Sequence, residues 1–407
     1  MTTQTVASPD APVASGLTVA EVIRVHGAAF GDRFGAGLTG VQRRALADLA
    51  ACRTESLGGH VWRCTDCGHE RVLYNSCRNR HCPTCQASVR ATWLTREASW
   101  LLPIEYHHVV FTLPAEVAAV ALANPAVVYG MLFQAASAAL REVAADPKSL
   151  GAQVGVVAVL HTWGQNLHHH PHLHGLVTGG GLSCDRSGRV HASPCWRSCR
   201  PGFFLPVRVL GRVFRGKFLA LVRQAHARGE LSLAGRLAPL AEASGLAAWL
   251  RPLYAQDWVV YSQPPAAGAE VVLKYLSRYV HRSALSNGRL VGLTEEEVSF
   301  TWKDYAHGGK TRVLTVSGAE FLRRFVQHVL PKGFVKVRHY GLLSSHGREE
   351  KLAACRWQLW RSGLAAAVSA GQPAASWPGP CCPGCGSLLW RKGVAVSGSG
   401  GARPDTS

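Results

Sequence analysis

The sequence predicts an α+β protein: a palm-like antiparallel sheet flanked by helices, preceded by a small helical module closed by cysteines. Three observations carry this. Short runs of branched and aromatic apolar residues, bounded by turn signals, recur at 106–113, 154–160, 172–181 and 258–262 and read as strands. Apolar residues at helical spacing fill 17–52, 115–145 and 203–250. Two Cys-x2-Cys pairs, Cys64–Cys67 and Cys82–Cys85, stand fourteen residues apart, a spacing that suits a structural zinc site. The expected organisation is a disordered N-terminus over 1–16, a helical plus zinc-binding domain over 17–100, a sheet-bearing domain over 104–345, and a C-terminal helix with a flexible tail over 346–407.

Taken in order, residues 1–16 are small, polar and proline-containing, without the basic start and apolar run of a signal peptide. Helices are expected in LTVAEVIRV and TGVQRRALADLAAC. The two knuckles follow, expected to close one tetrahedron from Cys64, Cys67, Cys82 and Cys85 around Zn2+, with Cys77, His69 or His81 as substitutes or ligands of a second ion. Arg63, Arg71, Arg78 and Arg80 surround them and suit either DNA-end contacts or a solvated charged face. The apolar stretch 115–145 carries Glu116, Arg141 and Glu142 and breaks at Asn124-Pro125, so it reads as packed helices rather than a membrane span. Thirteen cysteines then fit a reducing, cytoplasmic setting. A formal charge of +19 and a pI of about 9.8, with arginines spread along the chain, suit a folded surface for a polyanion such as DNA.

The stretch HTWGQNLHHHPHLHGLVTGGG (161–181) holds His172-Leu173-His174 on a strand expected to stop at the glycines. Alternation turns both imidazoles to one face and Leu173 to the core, so the pair can grip one metal ion, with Gln165 offering an amide oxygen as third ligand. Cys184, Cys195 and Cys199 in the following insertion are too irregular for a metal site. A helix is expected over EVVLKYLSRYVHR (270–282). Its apolar stripe is Val272, Leu276 and Val280, and its basic stripe Lys274, Arg278 and Arg282. Tyr275 and Tyr279 fall one turn apart on one face. Strands are expected at 289–293, 298–302 and 311–316, then a helix capped by Ser317 and Glu320. The basic segment 332–338 offers Lys332, Lys336 and Arg338 as a DNA-contacting face. Cys381, Cys382 and Cys385 form half a zinc knuckle, whose partner is Cys355 or none.

His-hydrophobe-His followed by a helix with Tyr-x-x-x-Tyr resembles the HUH nucleases. With CRTESLGGHVWRC (52–64), YNSCRNRHCPTCQ (74–86), HHVVFTLP (107–114) and LPKGFVKVRHYGLL (330–343), the chain from about 18 to 360 resembles two-tyrosine rolling-circle transposases of the IS91 type. That resemblance implies an HUH palm in which Tyr275 and Tyr279 cleave and rejoin single-stranded DNA at transposon ends through a 5′-phosphotyrosine. It implies Mg2+ or Mn2+ at His172, His174 and Gln165, although imidazole donors by themselves favour zinc, copper or nickel. It also implies a bacterial, nucleoid-associated protein. Three other readings compete: a plasmid-type replication initiator or relaxase, a non-enzymatic zinc DNA-binding protein with core tyrosines, and a zinc hydrolase built on the histidines. The oligomeric state is not set by the sequence.

Overall fold

The computed structural model describes residues 16–86, 97–200, 202–266, 283–364, 381–387 and 390–397. Tyr275, Tyr279, Lys274, Arg278 and Arg282 lie outside the described residues. From the N-terminus, α1 (Val19–Phe34) and α2 (Gly40–Ala50) precede a hairpin of β1 (Gly59–Cys64) and β2 (Glu70–Tyr74). Next come β3 (Tyr106–Thr112), α3 (Ala118–Ala123), α4 (Pro125–Ala145), β4 (Ala152–Trp163), β5 (His169–Ser183) and β6 (Trp196–Ser198). Helices α5 (Val207–Ala227) and α6 (Ala243–Ala255) lead to β7 (Val260–Ala266), then β8 (Leu290–Leu293), β9 (Glu297–Asp304) and β10 (Lys310–Ser317). The rest is α7 (Gly318–Val326), β11 (Val337–Gly341), α8 (Arg348–Arg361) and β12 (Trp390–Val396).

These elements form two compact units that interleave along the chain: 1–89, 282–329 and 372–407 make one, and 90–281 with 330–371 the other. The stretch 282–329, placed in the sheet-bearing domain by sequence, clusters with the N-terminal segment.

The first unit starts with two capping boxes. Thr18 and Glu21 satisfy each other's backbone groups at the start of α1, and Thr39 and Gln42 do so for α2. Ser317 caps α7 by accepting from the Glu320 amide, while the Glu320 carboxylate is held by Arg323 and Arg324 instead of reaching back to the cap. Its two antiparallel sheets run β12–β1–β2 and β10–β9–β8. β12 arises from a tail expected to be flexible: Trp390 pairs with Cys64 and Val396 with Gly59.

The second unit is built on an antiparallel sheet in the order β11–β4–β5–β3–β7, with β6 beside β5. One face carries Val109, Phe111, Leu160 and Leu173 and is covered by α4 and α5, whose Leu132, Phe133, Phe214 and Phe218 are fully buried. The other face carries Val157, Val159 and Leu176, which pack with Leu352, Cys355 and Leu359 of α8. The alternation that buries Leu173 therefore turns His172 and His174 to this second face.

β5 is longer than expected. It runs through Gly179, Gly180 and Gly181 to Ser183 instead of stopping at them. A Cβ at Gly181 would collide with the Gln153 carbonyl of β4, and one at Gly180 would meet Trp196 and the Arg197 carbonyl of β6. These glycines let neighbouring backbone approach rather than end the strand. Pro171 sits inside β5, at the register shift between the His161–His172 and Trp163–His169 pairs, where a ladder N–H is not needed.

Candidate metal centres

The histidine centre is built by a hairpin. β4 and β5 turn through 165–167, and the register sets His161 opposite His172, with His174 two residues further along the same face. One ring nitrogen from each of His161, His172 and His174 falls within 4.8 Å of the others. Gln165 stands on the connecting turn, and the third donor grouped with the pair is the imidazole of His161. Sequence reasoning missed His161: counting residues outward from the turn sets it across from Pro171, and only the register shift between the Trp163–His169 and His161–His172 pairs brings it opposite His172.

Surrounding groups set which nitrogen of each ring is available. His172 Nδ1 lies 2.7 Å from the His170 carbonyl, so Nδ1 carries the proton and donates, and Nε2 keeps its lone pair. His108 Nδ1 donates to Gln263 Oε1 at 3.2 Å, so its Nε2 accepts from His174 Nδ1 at 2.8 Å. The chain Gln263–His108–His174 thereby puts the His174 proton on Nδ1, so that Nε2 is the basic nitrogen. Burial pushes His172 and His108 down to about 4, so both are neutral at pH 7, the form in which imidazole binds metal. Three converging imidazoles, two of them with the proton fixed on Nδ1, fit a divalent ion.

Trp163 stacks on His161 with ring centroids 4.5 Å apart, and Lys336 Nζ lies 5.1 Å from the centre of the Trp163 ring. A cation expected to contact DNA is thus held beside the triad. Arg338 belongs to a different surface. Its guanidinium lies over Phe133 at 4.3 Å and Phe334 at 5.2 Å, in a cleft of about 530 Å³ shared with Arg141, Arg228 and Tyr340.

The expected single tetrahedron of Cys64, Cys67, Cys82 and Cys85 is corrected by the structure. Cys64 and Cys67 group with Cys382 and Cys385, while Cys82 and Cys85 group with Cys52 and Cys77. The first group has Cys64–Cys385 and Cys67–Cys382 sulfur distances of 3.6 and 3.5 Å. In the second, Cys52–Cys85, Cys77–Cys85 and Cys82–Cys52 are all 3.6 Å. A tetrahedron with Zn–S bonds of about 2.3 Å has edges of about 3.8 Å, so both groups fit zinc closely. The cause of the regrouping is β12, whose pairing with β1 carries the C-terminal knuckle alongside Cys64 and Cys67. Cys355, offered as a partner for that knuckle, is instead a fully buried thiol of α8 pushed up to about 12 by burial. Cys52 was not singled out as a ligand, and Cys77 only as a substitute or a ligand of a second ion. The signal available was that both lie in the cysteine-bearing stretches 52–64 and 74–86.

Comparison with known proteins accords with this geometry. A family model described as "Transposase zinc-binding domain" matches residues 22–113, and one described as "Putative transposase" matches residues 155–351. The chain is 50% identical over 342 residues to "Putative transposase y4qJ" of Sinorhizobium fredii, covering 84% of each chain. It is 29% identical over 315 residues to "Transposase for insertion sequence element IS801" of Pseudomonas savastanoi pv. phaseolicola, covering 76% of this chain and 72% of that one. No solved structure matches. Among the described residues, no helix is long and apolar enough to cross a membrane.

Proposed function

The chain belongs to the IS91-type transposase family, with an N-terminal zinc-binding domain, and from that premise we propose that it nicks and joins single-stranded DNA at transposon ends through a 5′-phosphotyrosine, driving rolling-circle transposition. The observation that carries this reading is the triad His161, His172 and His174, in which His170 orients His172, and His108 with Gln263 orients His174. Three imidazoles converging on one face of a buried sheet have little structural use without an ion to bind.

His161, His172 and His174 would hold a divalent ion, which would supply Lewis-acid stabilisation of the charge that develops on the phosphate in the transition state. The resemblance implies Mg2+ or Mn2+. Of the two, Mn2+ suits nitrogen donors better, because Mg2+ holds to oxygen ligands and water. Tyr275 and Tyr279 are the proposed nucleophiles, on the strength of their sequence context, since their segment lies outside the described residues. A phenol oxygen bonds to phosphorus, the P–O3′ bond breaks, and the phenolic proton ends on the departing 3′-hydroxyl. The 5′-phosphotyrosine keeps the bond energy, so rejoining needs no nucleotide cofactor. Two tyrosines allow one to cut at the donor end and the other to resolve the transferred strand. Lys336, held on Trp163, pairs with a phosphate next to the scissile one, and Lys274, Arg278 and Arg282, which neighbour the two tyrosines in sequence, serve the same strand. Such a role calls for a cytoplasmic, nucleoid-associated protein.

The test is incubation with single-stranded element-end DNA, followed by denaturing electrophoresis. A covalent protein–DNA band, lost on chelation and lost in His161→Ala, supports the proposal. Binding without any covalent band favours the non-enzymatic zinc DNA-binding reading.

A further inference from the structure

A second cleft, of about 500 Å³, opens in the catalytic-sheet unit away from the histidines. It is built from two segments to which the transposase reading assigns nothing: the turn after α4 and the Ser-, Arg- and Cys-rich insertion after β5. Its lining includes Lys148, Arg197, Arg200, Phe203 and Phe204, and no described lining residue is acidic.

The cations are placed by local structure. The Asp146 carboxylate accepts from the Lys148 amide at 3.0 Å, and the Asp146 carbonyl accepts from the Ser149, Leu150 and Gly151 amides. That turn holds Lys148 at the surface. Arg197, on β6, reaches the Leu150 carbonyl at 3.4 Å and crosses Gly151, where a Cβ would collide with its guanidinium. Gly151 has φ +65°, so the position favours glycine for its backbone as well as for the space it leaves. The Cys199 amide donates to the Gly179 carbonyl at 2.9 Å, which anchors the chain just before Arg200. Phe204 is buried and stacks on His107 at 4.6 Å, while its neighbour Phe203 remains 50% exposed at the mouth of the cleft. β6 pairs Ser198 with Gly180, six residues along β5 from His174, a separation of about 20 Å at roughly 3.3 Å per residue. A phosphate held here is therefore a different one from any held at the triad.

We propose that this cleft is a second DNA contact, which anchors an unpaired stretch of the strand by its phosphates on Lys148, Arg197 and Arg200 and by one base on Phe203. Three cations without an acidic neighbour in the lining match phosphodiesters, and an aromatic face half open to solvent matches a base free of a pairing partner. Duplex DNA offers the same phosphates but no exposed base face, so the site prefers single strands. The inference rests on the proposed action on single-stranded DNA, and it concerns binding rather than bond breaking.

The test uses the full chain with its zinc and fluorescein-labelled single-stranded oligonucleotides, read by anisotropy across a salt series. In K148E/R200E, the two lost contacts lower the slope of log affinity against log salt by about 1.4, at roughly 0.7 per phosphate on a single strand. Arg197 is left alone because it also braces the turn. In F203A, single-strand affinity falls about 5- to 150-fold, the worth of one base stacked on an aromatic ring, and F203W restores it. Duplex affinity is unaffected in F203A. Unchanged slope and single-strand affinity in folded variants, judged by circular dichroism, overturn the proposal. So does an equal loss on duplex in F203A, or wild-type affinity matched by a free mononucleotide or an acidic peptide. A wild-type protein that forms no covalent band refutes the proposed function instead, and leaves the anisotropy result to be read on its own.

Discussion

Two zinc ions per chain, each tied to a different set of four cysteines, is a prediction that separates the observed grouping from the arrangement expected from knuckle spacing. The perturbations are single Cys→Ser changes. Sulfur separations of 3.5–3.6 Å within each group lie close to the edge of about 3.8 Å required by Zn–S bonds of about 2.3 Å. Apparent zinc binding in small structural sites is worth about 10–16 kcal/mol at neutral pH, so losing one thiolate of four removes much of what holds each group together. The assay is elemental zinc per chain after gel filtration, on a His161→Ala/His172→Ala background so that the imidazole centre does not add to the count. Wild-type cysteines should give two. Cys64→Ser and Cys382→Ser should each give one, and combining them should still give one, because both empty the same site. Cys52→Ser and Cys82→Ser behave likewise for the other site. Cys64→Ser with Cys82→Ser should give none. One zinc in the parent, or two retained in Cys382→Ser, refutes the grouping.

Other outcomes follow from the same geometry. His108→Ala removes the acceptor that holds His174 in its Nδ1–H form and should weaken Mn2+ binding about 10- to 100-fold by calorimetry, with Gln263→Leu producing a smaller loss. The hydrogen bonds from Arg323, and secondarily Arg324, hold Glu320 at about 2, below its usual 4.5. Because the folded value is depressed, the stability from this cluster is fully present above about pH 4.5 and is lost as pH falls toward 2. Glu320→Gln should therefore lower the unfolding midpoint at pH 6 and flatten its fall across that window; an unchanged acid limb contradicts the assignment.

Much of the sheet could be read because its signals are local. Branched apolar runs fixed β3, β4 and β7 to within a few residues, and alternation around Leu173 placed two imidazoles on one face. What could not be read depends on distant pairing or on ambiguous residues. The Cys64–Cys67 knuckle finds its partner only because β12 folds back more than three hundred residues later, from a tail whose glycines and charges resemble a linker. Gly179–Gly181 look like a strand stop, yet they admit the Glu105 carbonyl just before β3 and the backbone of β6 and β4. His161 could not be placed by hairpin counting, because the one-residue register shift that sets it opposite His172 leaves no mark in the local pattern. The segment 282–329 carries strand signals that say nothing about which unit claims it.

The account stands or falls on which atom of the protein becomes joined to DNA. Digestion of the covalent complex with protease and nuclease, followed by mass spectrometry, should find a 5′-nucleotide on the peptide containing Tyr275 and Tyr279, on either residue in wild type and on the remaining one in each single Tyr→Phe variant. A nucleotide attached elsewhere in the chain, or cleavage that persists when both tyrosines are replaced, would contradict it.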